Sequence, residues 1–110
     1  MPYEESVAER VRQVLPRTAN VREIKMMGAL IFMVDGHMCC GVSGNRLMVR
    51  VGAEAYQEAL KQPHVGPLDV GGGRKPDAFV SIEEAGFATR VSLEKWTTKG
   101  LKFVGTLPGK

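Results

Sequence analysis

Few side chains in this 110-residue sequence carry reactive chemistry. The candidates are two histidines, His37 and His64, two cysteines, Cys39 and Cys40, and a glycine run, Gly71-Gly72-Gly73, followed by Arg74 and Lys75. No serine or carboxylate stands at a recognisable catalytic spacing from either histidine, so nucleophilic catalysis has no support. The cysteines are adjacent, and no Cys-x-x-Cys spacing or histidine pair completes a metal site. On a strand, neighbouring side chains point to opposite faces, which rules out an unstrained disulfide and fits a reducing compartment. Cys39 would share its face with His37 and Arg50, where a nearby cation lowers a thiol pKa. The glycine run lacks both the Walker and the dinucleotide spacing, and a proline and a strand follow where a helix is needed. It reads as a mobile surface loop. No cofactor or metal is expected.

Charge points to a second region. The net charge is +3; residues 1–73 hold eight bases and eight acids, and residues 74–110 hold seven bases and four acids. The excess therefore lies in the last third, where Lys95, Lys99 and Lys102 fall on the outer side of a terminal helix. Together with Arg74 and Lys75 they are the candidate anion contacts.

These groups need a scaffold, and 110 residues suit one domain over the whole chain, 1–110. At 44% hydrophobic and 25% charged the composition is that of a globular protein. No segment approaches the roughly 20 apolar residues of a membrane span. Acids at Glu4 and Glu5 stand where a secretory signal would carry bases, so the expected compartment is the cytoplasm.

Residues 4–15 read as an amphipathic helix, with Val7, Ala8, Val11, Val14 and Leu15 on one stripe and Pro16 after it. Residues 21–27 have the length of a further strand, though Arg22, Glu23 and Lys25 equally suit an irregular connection. From Ala29 to Val51 the pattern is three antiparallel strands with two-residue turns at Asp35-Gly36 and Gly44-Asn45. Ala53 to Gln62 forms a short helix, Leu68 to Val70 a short strand, and Ala78 to Ile82 another strand. Ser92 to Leu107 forms the last helix, capped by Ser92. Gly100 in its middle implies either a close neighbouring backbone or simple tolerance of the cost.

Uninterrupted alternation across those turns pairs Ile31 with Cys40 and Val42 with Leu47. One face then holds Ile31, Met33, Met38, Cys40, Val42, Leu47, Val49 and Val51, and is expected to carry the core. The other holds Leu30, Phe32, Val34, His37, Cys39, Gly41, Arg46, Met48 and Arg50. A three-residue second loop would bring two arginines into the core, which is costly, so the two-residue loop is preferred. Phe32, Val34 and Met48 edged by Arg46 and Arg50 form the expected interaction surface, an apolar centre with a polar rim.

The run Lys25-Met26-Met27-Gly28-Ala29-Leu30-Ile31-Phe32-Met33-Val34-Asp35-Gly36-His37-Met38, with Arg46-Leu47-Met48-Val49-Arg50-Val51, resembles the amino-terminal domain of the competence regulator TfoX, also called Sxy. Members typically carry Met-Phe-Gly-Gly before a strand, an Asp-Gly or Asn-Gly hairpin, a Gly-Arg-Pro-like segment before the late strand, and a closing helix with a tryptophan. Here Met27 and Ala29 replace the Phe and the second Gly, and Arg74-Lys75-Pro76 extends the Gly-Arg-Pro pattern. The resemblance implies an α+β fold: a two-layer sandwich of order α-β-β-β-α-β-β-α, with helices packed on an antiparallel sheet, similar to secretion chaperones. It also implies a role in transcription of DNA-uptake genes alongside a transcription activator.

Three functional readings result. The first is a non-enzymatic regulatory domain that binds a protein partner, such as a transcription activator, or a second copy of itself as a homodimer. The second is weak nucleic-acid binding through the basic terminal helix. The third is a small-molecule or thiol-dependent activity on the exposed sheet face.

Overall fold

The computed structural model describes residues 3–15, 20–26, 28–68 and 78–107. Its elements are α1 (Glu5–Val14), β1 (Val21–Met26), β2 (Ala29–Val34), β3 (His37–Ser43), β4 (Arg46–Arg50), α2 (Ala53–Leu60), β5 (Val65–Pro67), β6 (Phe79–Ile82), a 3₁₀ turn (Glu84–Phe87) and α3 (Arg90–Val104). The six strands form one antiparallel sheet in the order β1-β2-β3-β4-β6-β5. The α+β class is as the sequence implies, with one strand more, because residues 21–26 pair fully with β2. A short strand, β5, forms at Val65–Pro67; of the expected strand from Leu68 to Val70, the last two residues lie outside the described residues.

Both hairpin turns form as their sequences require. Asp35 (φ 51°) and Gly36 (φ 82°) adopt the positive angles of a type I′ turn, and Val34 pairs with His37. Ser43 pairs with Arg46 across Gly44-Asn45, which places Val42 opposite Leu47.

Between the turns the alternation breaks. Met33 pairs with Met38 but Phe32 pairs with Cys40, so Cys39 is an extra residue in β3, a β-bulge. The bulge corrects the expected faces. Leu30, Phe32 and Val34 join Val42, Leu47, Val49, Val51, Val80 and Ile82 beneath the helices. Ile31, with Met33 and Met38, goes to the opposite face. Phe32 is fully buried in the main core and Val34 nearly so; neither belongs to an exposed surface. The physical reason is volume: burying a phenylalanine is worth about 1.5 to 3 kcal/mol, and one bulge brings the bulky stripe of β2 into phase with that of β4.

The helices complete this core with Val7, Ala8 and Val11 from α1, and Leu93, Trp96 and Val104 from α3. Ala59 of α2 and Phe87 of the 3₁₀ turn, which the sequence pattern did not show, complete it. Helix α3 begins two residues earlier than expected. Thr89, not Ser92, is its N-cap: its Oγ1 accepts from the Ser92 amide, and Ser92 Oγ accepts from the Thr89 amide in a capping box.

Of the two readings of Gly100, the structure shows the close approach. A Cβ there would stand 2.9 Å from the Cys39 carbonyl oxygen and 3.0 Å from the Cys39 sulfur, so α3 rests on the bulge itself. Gly100→Ala should therefore destabilise the fold by about 1 to 2 kcal/mol, because overpacking outweighs the roughly 1 kcal/mol gain in helix propensity. Urea denaturation measures it; an unchanged or raised midpoint would show that α3 does not press on Cys39.

Candidate functional site

The face of the sheet away from the helices carries its own apolar cluster. Ala29, Ile31 and Met48 are buried there, with Met33, Met38 and Leu68 packed against them. Gly41 lies between Ile31 and Met48 in the register, and a Cβ on it would meet the Met48 methyl at 2.6 Å and Ile31 Cδ1 at 3.0 Å. The missing side chain lets those two close over the strand. On β1, Ile24 stands opposite Ile31 and Met26 opposite Ala29, and both remain over 40% exposed. The cluster therefore runs outward to an open sheet edge.

The two arginines of β4 behave differently. Arg46 lies on this second face as expected: its Nε donates to Ser81 Oγ at 2.8 Å, and its Nη1 is 3.6 Å from the Glu83 carboxylate, which also lies 3.6 Å from His64 Nδ1. Arg50 is held at the end of the sheet. Its guanidinium lies 5.7 Å from the Phe79 ring centre and 5.2 Å from that of Phe103 on α3, and its Nη1 donates to the Met38 carbonyl at 3.4 Å. Its Nε is buried without a hydrogen-bond partner among the described residues. Cation–π contacts of this kind are worth about 0.5 to 1 kcal/mol each, so Arg50 helps to fasten α3 as well as rimming the face.

The bulge also relocates the thiols. Cys39 and Cys40 do not point to opposite faces; both are free, buried and in the main core. A hydrogen bond from Cys40 lowers the Cys39 thiol below its ordinary value, with Arg50 acting in the same direction against burial. That same bond, together with burial, pushes Cys40 well above its ordinary value. Reactivity needs exposure as well as a low pKa, and Cys39 has none.

Among the predicted anion contacts, Lys95, Lys99 and Lys102 are exposed on α3. Lys99 Nζ stands 5.8 Å over the Trp96 ring. Lys99 and Lys102 also line a groove of about 790 Å³ between α3 and α2, with Phe103 beside them and Glu54 and Glu58 from α2. Arg74, Lys75 and Gly71 to Gly73 lie outside the described residues. Among the described residues no group of three His, Cys, Asp or Glu could hold a metal ion, and no helix is long and apolar enough to cross a membrane.

One charged cluster has no counterpart in the sequence reading. Arg12 on α1 makes a two-pronged contact with Glu23 on β1 (2.7 and 2.8 Å), and also reaches Glu5 at 2.6 Å and Glu9 at 3.1 Å. It ties the first helix to the edge strand. The sequence signal is slight, because Glu23 becomes Arg12's partner only once residues 21–26 are known to form a strand whose odd positions face the helices.

The pattern of methionines, tight hairpin and Arg-Leu-Met-Val-Arg strand is matched by a family model. The model for the TfoX N-terminal domain covers residues 13–104. The chain belongs to the TfoX N-terminal domain family. No curated protein and no solved structure matches it. In this TfoX N-terminal domain the matched region begins beside Arg12, takes in the last two residues of α1, and ends on the last residue of α3, so it contains the whole sheet with α2 and α3.

The Arg12 hydrogen bonds hold the Glu23 carboxyl below the usual glutamate range. The folded domain thus binds that proton more weakly than the unfolded chain. Its contribution is full above the ordinary glutamate pKa of about 4.3 and is lost progressively as pH falls from there through the lowered value of the folded state. Arg12→Ala should cost about 0.5 to 1 kcal/mol at pH 7 and clearly less at pH 3, read by urea denaturation at both values. An equal cost at both pH values would mean that the ion pair contributes nothing.

Proposed function

We infer that this domain is a non-enzymatic, cytoplasmic regulatory module that acts by protein contact through the second sheet face, in the setting of competence-related transcription control. The observation that carries the reading is the second apolar cluster, continuous with exposed Ile24 and Met26 and rimmed by Arg22 and Arg46. A single-domain fold needs one core. A second, partly open one beside arginines has the composition of an interface centre and rim. Membership of the TfoX N-terminal domain family supports the regulatory setting.

Direct nucleic-acid binding is the alternative, favoured by Lys95, Lys99 and Lys102 on one side of α3. Its electrostatics predict a steep loss of affinity with salt. The two are separated by expressing the chain in its native cell and measuring transcript abundance. Met38→Glu combined with Arg46→Glu, in protein shown to be folded by circular dichroism, should abolish the response. Lys95→Glu combined with Lys102→Glu should leave it intact. The reverse pattern would transfer the function to α3.

A further inference from the structure

We propose that β1 is a homodimerisation edge, on which a second copy of this chain adds its own β1 antiparallel to make a continuous twelve-stranded sheet. The proposal rests on the protein-contact reading above and names the partner as the chain itself.

The sheet's two edges differ. The β5 edge is three residues long and carries Pro67, which has no amide hydrogen to offer. The β1 edge is six residues long, has no proline and no bulge, and is exposed from Arg22 to Met26. Among the described residues none hydrogen-bonds to its outward backbone groups, which can be assigned. The Asn20 carbonyl accepts from the Asp35 amide across β2, so alternation turns the backbone groups of residues 22, 24 and 26 toward β2 and those of Val21, Glu23 and Lys25 outward.

Those outward residues select one register. If Glu23 pairs with Lys25 of the second copy, a two-fold axis perpendicular to the sheet passes through Ile24. Both helical layers then lie on the same side. Two Glu23–Lys25 pairs form at hydrogen-bonded positions, and Ile24 meets its own copy at a non-hydrogen-bonded position, where opposed side chains approach closest. Shifting by one pair in either direction sets Glu23 against Glu23 or Lys25 against Lys25, and like charges directly opposite are unfavourable. Glu23 is free to take a second cation: with Arg12 bound, 36% of its side chain remains exposed. The pairing also covers Ile24 and Met26, two of the exposed large hydrophobic side chains, and joins the second-face clusters of the two copies.

The test is the solution mass by light scattering coupled to size exclusion. The wild-type chain should run at twice the monomer mass. Lys25→Glu alone and Glu23→Lys alone should each be folded monomers, because each sets like charges against each other. An equal mixture of the two should recombine into a heterodimer, since all four charges then pair oppositely. Independently, Ile24→Cys should give a covalent dimer under mild oxidation through the residue on the axis. A monomeric wild-type chain, a dimer that survives Lys25→Glu, or a mixture that stays monomeric would overturn the proposal. A dimer indifferent to these charges but dissolved by Met38→Glu with Arg46→Glu would overturn the strand pairing while leaving the sheet-face reading in place.

Discussion

A strand that must satisfy two neighbours can do so by strict alternation only if both neighbours carry their bulky residues in the same phase, and here they do not. The tight turn at Asp35-Gly36 fixes the start of β3 against β2, while the turn at Gly44-Asn45 fixes its end against β4. With nothing inserted, Phe32 and Leu30 would share a face with Arg46 and Arg50. The extra residue, Cys39, shifts the phase once and places Leu30, Phe32 and Val34 with Leu47 and Val49 under the helices. It leaves an unpaired step in the ladder, which α3 covers by bringing Gly100 against the Cys39 carbonyl.

The rest of the molecule can be read from that step. Beneath it lies the main core, closed by α1 and α3. Above it lies the smaller methionine-rich cluster, which the same phase shift supplies with Ile31, Met33 and Met38. Arg50 stands at the boundary between the two, its guanidinium between a sheet phenylalanine and a helix phenylalanine. At the outer edge Arg12 and Glu23 tie α1 to β1, so the strand is held in register from behind while no described residue pairs with its outward backbone.

Much of the fold was legible in the sequence. Both hairpin turns, the Val42–Leu47 pairing, the apolar stripe of α1 and the outward placement of Arg46 and Met48 follow from turn chemistry, periodicity and the cost of burying charge. The side of β2 was not legible, because Ala29 to Val34 is apolar at every position and either parity offers a greasy face. A bulge leaves no signature in such a run. The same ambiguity misplaced Phe32 and Val34 in the interaction surface and Cys39 opposite Cys40. β1 stayed ambiguous because an edge strand with one exposed face and three charges looks like a loop until its partner is known. The Thr89 cap was hidden for a smaller reason: Thr and Ser three apart are both good caps, and only the reciprocal bonds distinguish them.

The phase shift at Cys39 is tested most directly by side-chain proton Overhauser contacts in isotopically labelled protein. The account predicts that the Phe32 ring contacts methyl groups of the main core, and that Ile31 Cδ1 contacts the Met48 methyl and no helix residue. Contacts from Ile31 and Met33 to α1 or α3, with Phe32 on the face of Met48, would mean that β3 runs without its extra residue, and the division of the two faces would be wrong.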